Sequence, residues 1–591
     1  MSVGLLDSRQ ASASLPLRAA RPAPWLPPVV AALVALVGLV NVGVALSAHL
    51  PARLQSVLDL KALDLVPVAH AIAMTAGASL LALAFYLRRR RRGAWALTIL
   101  ILVAVAVIDF VKTPDVGEGL VGLALAAALA TQRKAFYVRH DRVALRSAMW
   151  RVPLAVAASV GIATLAVWAG SRALSPHIGT HAAWHEARHL LTLKGSEFQF
   201  HRAFSWVPFG VHLLALATVL AAFYFILRPL SGPRELPGTR ARALARDLVE
   251  THGADTLSYF KLRQDKHYLF SSDERAFVGY QVEGRMLLIS ADPVGPDDAL
   301  PELFRQIFAW AEVRGLKVGV INAGERTREL TEAAGLRSFY FGDEALLDLD
   351  AFTLEGRAIR KVRQSVTRLT KAGYTSDLAA VGDLLPETKL ELEGVSQRWM
   401  GKDHERGFSM AMDSVCGKHH PDTQVVIARD EHGTVRGFLH LVPAYGRPAM
   451  SLSAMRREHD TPNGLTEFLV VRAVELLREQ GVRELSLNFA AFGRWMHDPR
   501  NRREQLLGRA CKPLNPYFQI ESLYKFNAKF FPRWEPRYLI YEGRLGLLPT
   551  GVAALIVEGQ LPRPRLPFRR PRPAEAAADS AVQAEPAGSA A

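Results

Sequence analysis

The stretch "MSLSAMRREHDTPNGLTEFLVVRAVELLREQGVRELSLNFA", Met450 to Ala490, joins two apolar segments through a dense polar loop and a helix-period run. Met450, Leu452 and Ala454 alternate as in a strand with one face in a core, which predicts a strand over "MSLSAM". Leu465, Phe468, Leu469, Ala473 and Leu476 recur at helical spacing after Pro462, so a helix is expected from Leu465 to Glu479. "ELSLNFA" then reads as the next strand. This order places Arg456, Arg457, Asn463 and Glu467 at the C-terminal end of a central strand and the mouth of a helix. Mixed sheets commonly hold ligands there, and polar groups so concentrated point to binding.

Upstream, "QVVIAR" and "RGFLHLV" complete a β-β-β-α-β order. The same order occurs earlier, as "HYLF", "AFVGYQ" and "RMLLIS", a helix from about Pro301 to Arg314, and "KVGVIN". The recurrence predicts a duplicated α/β unit, two tandem acyltransferase-like (GNAT-type) halves with mixed sheets. Between them, "EGRAIRKVRQSVTRLTKAGY" sets Ile359, Val362, Val366 and Leu369 on one helical face. Arg357, Arg360, Lys361, Arg368 and Lys371 line another, with Glu355 the one carboxylate nearby. Such a face is either simply solvated or binds phosphates of RNA or lipid.

The 591-residue chain has a hydrophobic fraction of 50%, a mean hydropathy of +0.09 and a formal charge of +16. Apolar runs crowd the first 230 or so residues. Six spans are expected, at Trp25–Leu46, Val66–Leu87, Ala94–Val111, Val121–Ala130, Val152–Gly170 and Val207–Leu227. The first is too long for a signal h-region and is read as retained. The run Arg88 to Arg92 and the basic segment Arg133 to Arg151 both belong on the cytoplasmic side, which requires the short fourth span between them. The same parity puts the N-terminus and everything after Arg228 in the cytoplasm. An outer loop carries His177, His181, His185 and His189 every four residues, a spacing that could share a zinc, but Gly179 and the lack of a fixed carboxylate partner favour an interfacial helix with a polar stripe.

The expected organisation is a cytoplasmic segment 1–24, a membrane domain 25–228, a Pro/Gly-rich linker 229–240, two halves 241–390 and 391–560, and a tail 561–591. The tail, "LPRPRLPFRRPRP" and then an Ala/Glu/Ser run, is expected to be disordered, with its basic part against anionic lipid. Cys416 and Cys511 stand far apart, so reduced thiols and no zinc knuckle are expected. No GxxxxGK[ST], HExxH or GxSxG motif occurs. One match to the acyl-CoA loop pattern [QR]xxGx[GA] is "QLLGRA", Gln505 to Ala510, which with its flanking arginines reads more simply as a basic loop.

Four stretches carry a resemblance. They are "DTLSYFKLRQDKHYLFS", "SADPVGP", "MRREHDTPNGLTEFLV" with "LSLNFAAF", and "FQIESLYKFNAKFFPRWEPRYLIY". From Asp255 to Tyr541 the chain resembles the C-terminal domain of the phosphatidylglycerol aminoacyltransferases, the family of the multiple peptide resistance factor and the LysX-type lysyl-phosphatidylglycerol synthases. The resemblance implies transfer of an amino acid, lysine in the type members, from aminoacyl-tRNA to phosphatidylglycerol at the cytoplasmic leaflet of the cell membrane. That reaction lowers envelope negative charge and needs no cofactor or metal. A separate synthetase is expected to charge the tRNA, since no lysyl-tRNA synthetase module follows.

Ester-to-ester exchange is nearly balanced, so positioning, a proton acceptor and an oxyanion donor supply the acceleration. Glu467 is the expected proton acceptor and Arg456 the anchor for a carbonyl or phosphate. Ser453, Asn463, Asn488, Asn527 and Lys529 are the expected substrate contacts. Where family members commonly read "SLDLMR", this chain reads "SLSAMR", with Ser453 in place of the acid. If that acid pairs with the donor's amino group, its replacement leaves the donor open. Two other classes stay open: an acyl-CoA or peptidoglycan-bridge transferase, and a non-catalytic lipid transporter with a degenerate transferase domain.

Overall fold

The computed structural model describes residues 25–47, 67–112, 117–138, 142–171, 179–192, 204–227, 236–401, 406–493, 502–511 and 520–562, with positions 196, 198, 200, 495 and 499. The expected segment 1–24, linker residues 229–235, His177 and the tail beyond 562 lie outside the described residues. Two compact units make up the chain, one mainly of residues 19–232 and one mainly of residues from Pro233 onward.

The first unit is built of helices α1 (Leu26–Ser47), α2 (Pro67–Arg88), α3 (Arg92–Lys112), α4 (Gly117–Thr131), α5 (Arg142–Ser171), α6 (Thr180–Leu191) and α7 (Val207–Ile226). Leu26–Gly43, Arg146–Gly170 and Val207–Ile226 are long and apolar enough to cross a bilayer; α2, α3 and α4 contain shorter apolar stretches among the described residues. Leu33, Leu36 and Val40 of α1 are exposed, as lipid-facing side chains are. Helices α1 and α2 cross at Gly38 and Gly77, where a Cβ on either would meet the other's carbonyl oxygen at 2.8 or 2.7 Å. Small residues permit that backbone approach. Ser159 of α5 and Thr218 of α7 share a hydroxyl hydrogen bond of 2.6 Å. His181, His185 and His189 lie on α6, with the last two rings 4.6 Å apart. No group of three His, Cys, Asp or Glu placed to hold a metal occurs among the described residues.

The second unit opens with α8 (Thr239–His252) and a 3-10 turn, Tyr259–Leu262, followed by β1 (His267–Phe270), β2 (Phe277–Glu283), β3 (Met286–Ser290), α9 (Leu300–Arg314), β4 (Lys317–Ala323), α10 (Glu325–Ala333) and β5 (Arg337–Asp348). The basic helix α11 (Arg360–Lys371), β6 (Thr375–Ala380) and α12 (Pro386–Met400) lead into β7 (Gln424–Arg429), β8 (Val435–Ala444), β9 (Ala449–Arg457), α13 (Leu465–Glu479) and β10 (Glu484–Ala491). Helices α14 (Arg502–Cys511) and α15 (Ile520–Ala528), strand β11 (Arg533–Tyr541) and α16 (Leu547–Val557) complete it. The expected division at 390 and 391 falls inside α12.

The eleven strands among the described residues form one sheet in the order β1-β2-β3-β4-β11-β5-β10-β9-β8-β7-β6. The halves exchange strands at its centre: β11, last in sequence, pairs with β4 and β5, and β5 pairs in turn with β10. Each half therefore completes its sheet with a strand from the other. Pro536 is tolerated in β11 because β4 pairs only with the Tyr538 to Tyr541 part of that strand, so no β4 carbonyl awaits the missing N–H. Both faces are covered. Leu287, Ile289, Val318 and Val320 pack on Leu303, Phe304 and Ile307 of α9, and the alternate residues Met286, Leu288 and Ile321 pack on Ala553, Ala554 and Val557 of α16. In the second half, Val426, Leu439, Met450 and Leu452 pack on Phe468 and Leu469 of α13, beneath Ile359, Val362 and Leu369 of α11.

One expected core position is displaced. His440 pairs with Ala454 and Leu441 with Leu452, so Ser453 is the extra residue of a β-bulge. Beyond it Met455, not Ala454, packs on the α13 side, and Arg456 turns to the opposite face.

Candidate active site

Both parallel strand pairs separate at their C-terminal ends. Strand β4 follows β3 as far as Ile321, and β10 follows β9 only as far as Ser486. The next residue but one in β10, Asn488, and the next in β4, Asn322, both take positive φ, +71° and +59°. Asn488 Nδ2 donates to Leu452 O at 2.9 Å and Met410 O at 2.7 Å, replacing the lost ladder with side-chain hydrogen bonds. Asn322 Nδ2 donates to Ser409 Oγ at 2.6 Å. Ser453 Oγ accepts from Met412 N at 3.0 Å. One loop, Phe408 to Met412, thus ties both openings.

Between the openings, on the exchanged strands, lies a buried charge cluster that the sequence reading did not single out. Arg537 of β11 reaches Asp255 Oδ1 at 2.6 Å through Nη2 and Glu344 Oε2 at 2.9 Å through Nε. Glu344 Oε1 also accepts from Thr256 Oγ1 and Ser486 Oγ, each at 2.5 Å. Asp292, just after β3, accepts from Gly324 N at the start of α10 at 2.7 Å. Lys261 is fully buried, and its Nζ has no hydrogen-bond partner among the described residues. Burial pushes its ammonium down to about 8, against the opposing pull of Asp255 and Asp292. Burial, then the charge of Asp255, raises the Asp292 carboxyl. Asp255 goes the other way: burial works to raise it, and Arg537 and Lys261 outweigh that. Lys266, also buried, donates to Ser290 Oγ at 2.6 Å and is held well below the usual lysine range by burial.

Chemically, the cluster offers an amine near neutrality, three carboxylates and one fixed guanidinium. Its members come from the loop after α8, the 3-10 turn, the loop after β3, β5, β10 and β11, so spacing alone gives no signal. "DTLSYFKLRQDK" does carry Asp255, Thr256 and Lys261 together, and charges within an otherwise apolar run were the available clue.

The residues singled out from sequence fall into three places. Ser453 and Asn488 meet at the second opening, and Asn527 is buried beside it, its Nδ2 3.5 Å from Leu487 O. Arg456 donates through Nη1 to Ser396 Oγ of α12 and is buried. At the start of α13, Glu467 Oε1 forms an ion pair of 2.7 Å with Lys529 Nζ, and the Asn463 carbonyl accepts from Arg368 of α11. Glu467 and Arg456 therefore occupy separate environments. Arg357, Arg360, Lys361, Arg368 and Lys371 are all exposed and form no ion pair among the described residues. The "QLLGRA" pattern lies inside helix α14 and not in a loop; an acyl-CoA site needs free backbone N–H groups between strand and helix, which a helix interior has already bonded.

A family model described as phosphatidylglycerol lysyltransferase, C-terminal, matches residues 246–541. The chain is 30% identical over 458 residues to the lysylphosphatidylglycerol biosynthesis bifunctional protein LysX of Gordonia bronchialis, covering 76% of this chain and 40% of that one. To LysX of Mycolicibacterium gilvum it is 32% identical over 479 residues, 77% of this chain and 42% of that one. It thus spans about 40% of the length of these curated relatives. Among solved structures, L-PGS from Bacillus licheniformis aligns at 25% identity and a TM-score of 0.49 over 56% of this chain and 99% of that one. The C-terminal domain of a putative lysylphosphatidylglycerol synthetase from Agrobacterium fabrum aligns at 27% and 0.47 over 55% and 98%.

Proposed function

Since the matched region takes in half of its residues, this chain belongs to the phosphatidylglycerol lysyltransferase C-terminal family, and we propose that it moves an amino acid, lysine first, from aminoacyl-tRNA to a glycerol hydroxyl of phosphatidylglycerol. The observation that carries the reading is the buried cluster around Lys261. A lysine with a pKa of about 8 is neutral in a useful fraction of molecules near neutral pH, so Nζ can take the proton of the attacking hydroxyl. The hydroxyl oxygen then bonds to the aminoacyl carbonyl carbon, and the ester bond to the tRNA ribose breaks. Lys261 returns its proton to the departing ribose oxygen, so the group ends as it began. Asp255 and Asp292 hold the donor's ammonium, and Arg537 keeps Asp255 ionised and holds both Asp255 and Glu344 in place.

In the same proposal the Ser453 and Asn488 opening admits the substrate, with Arg456 and Asn527 supporting its walls. The Glu467–Lys529 pair and Asn463 form the rim. The cations of α11 hold tRNA phosphates. Glu467 serves better as a rim contact than as a base, because Lys529 already occupies its oxygen. Six spans with the transferase unit in the cytoplasm match the two arginine-rich segments.

A second reading concerns the donor. Ser453 Oγ is engaged by Met412 N, and no carboxylate of β9 faces that opening, which favours an amino acid with an uncharged side chain. Mass spectrometry of lipids from cells expressing the chain tests both readings. A new aminoacyl-phosphatidylglycerol carries the amino acid's mass; unchanged lipids in the presence of inserted protein contradict the proposal.

A further inference from the structure

Helix α6, Thr180–Leu191, is about 18 Å long at 1.5 Å per residue, too short to cross a hydrocarbon core of about 30 Å. It is nonetheless packed against two long spans. Ala183, Ala187 and Leu190 sit with Ala163 and Val167 of α5 and Val207 and Val211 of α7, on the parts of those helices that adjoin α6 in sequence. The last turn reaches deeper. Arg188, Leu191 and Thr192 line a cavity of about 270 Å³ with Ser159 of α5 and Thr218 of α7. Those two hydroxyls, 2.6 Å apart, lie in the middle of the bilayer-length segments Arg146–Gly170 and Val207–Ile226. Helix α6 therefore enters the membrane from one side and ends near its midplane.

Val156, Val160, Leu191, Leu216 and Val219 give the cavity apolar walls. The hydroxyls of Ser159, Thr218 and Thr192 already donate to helix carbonyls. Arg188 is the one charged side chain on the cavity among the described residues. Its guanidinium stands 5.0 Å over the ring of Trp184, one turn nearer the start of α6, and forms no ion pair or hydrogen bond among the described residues. A cation at that depth is costly unless an anion meets it, and intramembrane ionisable groups mark ligand sites for that reason.

We infer that the cavity holds an acyl chain of an anionic phospholipid whose phosphate rests on Arg188. The surrounding bilayer supplies this occupant, the walls match a hydrocarbon chain, and the unpaired guanidinium selects negative charge. A soluble anion would leave the apolar walls uncovered. Trp184, exposed one turn nearer the start of α6, takes the headgroup level at which tryptophans concentrate. Arginine suits the place better than lysine, because its planar fork binds two phosphate oxygens at once. The site lies wholly within the first unit and does not rest on the proposed transfer reaction.

The test uses the full chain in nanodiscs of equal phosphatidylglycerol and phosphatidylcholine and needs no transfer activity, so it succeeds or fails apart from that reaction. A benzophenone amino acid replaces Leu216, on the cavity, or Leu165, exposed on the opposite face of α5. After illumination, mass spectrometry identifies the captured lipid. At 216 phosphatidylglycerol is captured in about five-fold excess, the ratio that one unit charge near a lipid surface supports. At 165 the two lipids are captured in the proportion of the disc. Arg188→Gln removes the excess at 216 and Arg188→Lys keeps part of it, while capture at 165 stays the same in both and so reports insertion. Should a variant fail to insert, the wild-type comparison of 216 with 165 still decides. Three results overturn the inference: the disc's own lipid ratio at 216, an excess that survives Arg188→Gln, or capture of protein in place of lipid, which would put a protein segment in the cavity.

Discussion

Asn322 and Asn488 hold corresponding places in the two halves: each takes positive φ where its parallel strand leaves its neighbour, and each is hydrogen-bonded to the loop Phe408 to Met412. The duplication is thus visible in backbone conformation as well as in element order. Replacing Asn488 with Ala removes three side-chain hydrogen bonds, the two that Nδ2 donates and the one that Oδ1 accepts from Phe489 N, and leaves the Leu452 and Met410 carbonyls to find other donors. The expected loss is about 1–3 kcal/mol, read as a lowered melting temperature of the solubilised chain. Asn488→Gly relieves the backbone but not the hydrogen bonds, so it recovers only part of that loss.

Arg537 is the keystone of the exchanged strands. Arg537→Gln takes the guanidinium from the buried Asp255 carboxylate and from Glu344, with an expected cost of about 3–5 kcal/mol in thermal or denaturant unfolding. Arg537→Lys does not restore the wild type, because a single ammonium cannot span both carboxylates as the planar guanidinium does.

Lys261 sets a pH dependence with a definite sign. Its folded value of about 8 lies below the ordinary lysine value, so between the two the unfolded chain binds more protons and stability rises with pH. Lys261→Met flattens that rise. As proton acceptor the neutral form is the active one, so the transfer rate climbs through pH 8 and levels above it. A rate that falls through this window, or a Lys261→Met enzyme of wild-type rate, removes Lys261 from the chemistry.

Acid destabilises the transferase unit through two buried histidines. Burial pushes His440 down to about 3 and His420 to about 4, so both are neutral in the fold and must take up a proton on unfolding. Stability contributed by the neutral rings is full above about 6.5 and is lost as pH falls towards the folded values. At about 1.4 kcal/mol per pH unit, His440 alone loses roughly 2 kcal/mol by pH 5. A His440→Gln chain shows a shallower fall in melting temperature between neutral pH and pH 5.

The cations of α11 are expected to act on affinity. Arg360→Glu, Lys361→Glu and Arg368→Glu raise KM for aminoacyl-tRNA with little change in kcat, and each lowers the slope of log affinity against log salt by about one. Equal effects on kcat and KM would place these residues in a structural role.

Much of the fold was legible because the second half obeys simple periodicities: α13 runs from Leu465 to Glu479, and strands β7 to β10 lie where their apolar runs placed them. Strands β5 and β11 were not, since Gly342, Asp343 and Glu344 in one and Glu535, Pro536 and Arg537 in the other break the alternation that marks a strand. Those same interruptions supply Glu344 and Arg537 to the buried charge cluster. Residues that sequence placed together, Arg456 and Glu467, are parted by the bulge at Ser453, which no periodicity announces. Lys261 and Arg537, far apart in sequence, meet only because β11 crosses into the first half.

The most direct test of the central claim uses the purified full chain in phosphatidylglycerol nanodiscs with radiolabelled lysyl-tRNA, and with alanyl-tRNA in parallel, counting label in the extracted lipid. The account predicts label in aminoacyl-phosphatidylglycerol from at least one donor, abolished by ribonuclease and reduced at least about 100-fold by Lys261→Met, the scale expected for losing a general base. No label from either donor with the wild-type chain, or full labelling with Lys261→Met, would contradict it.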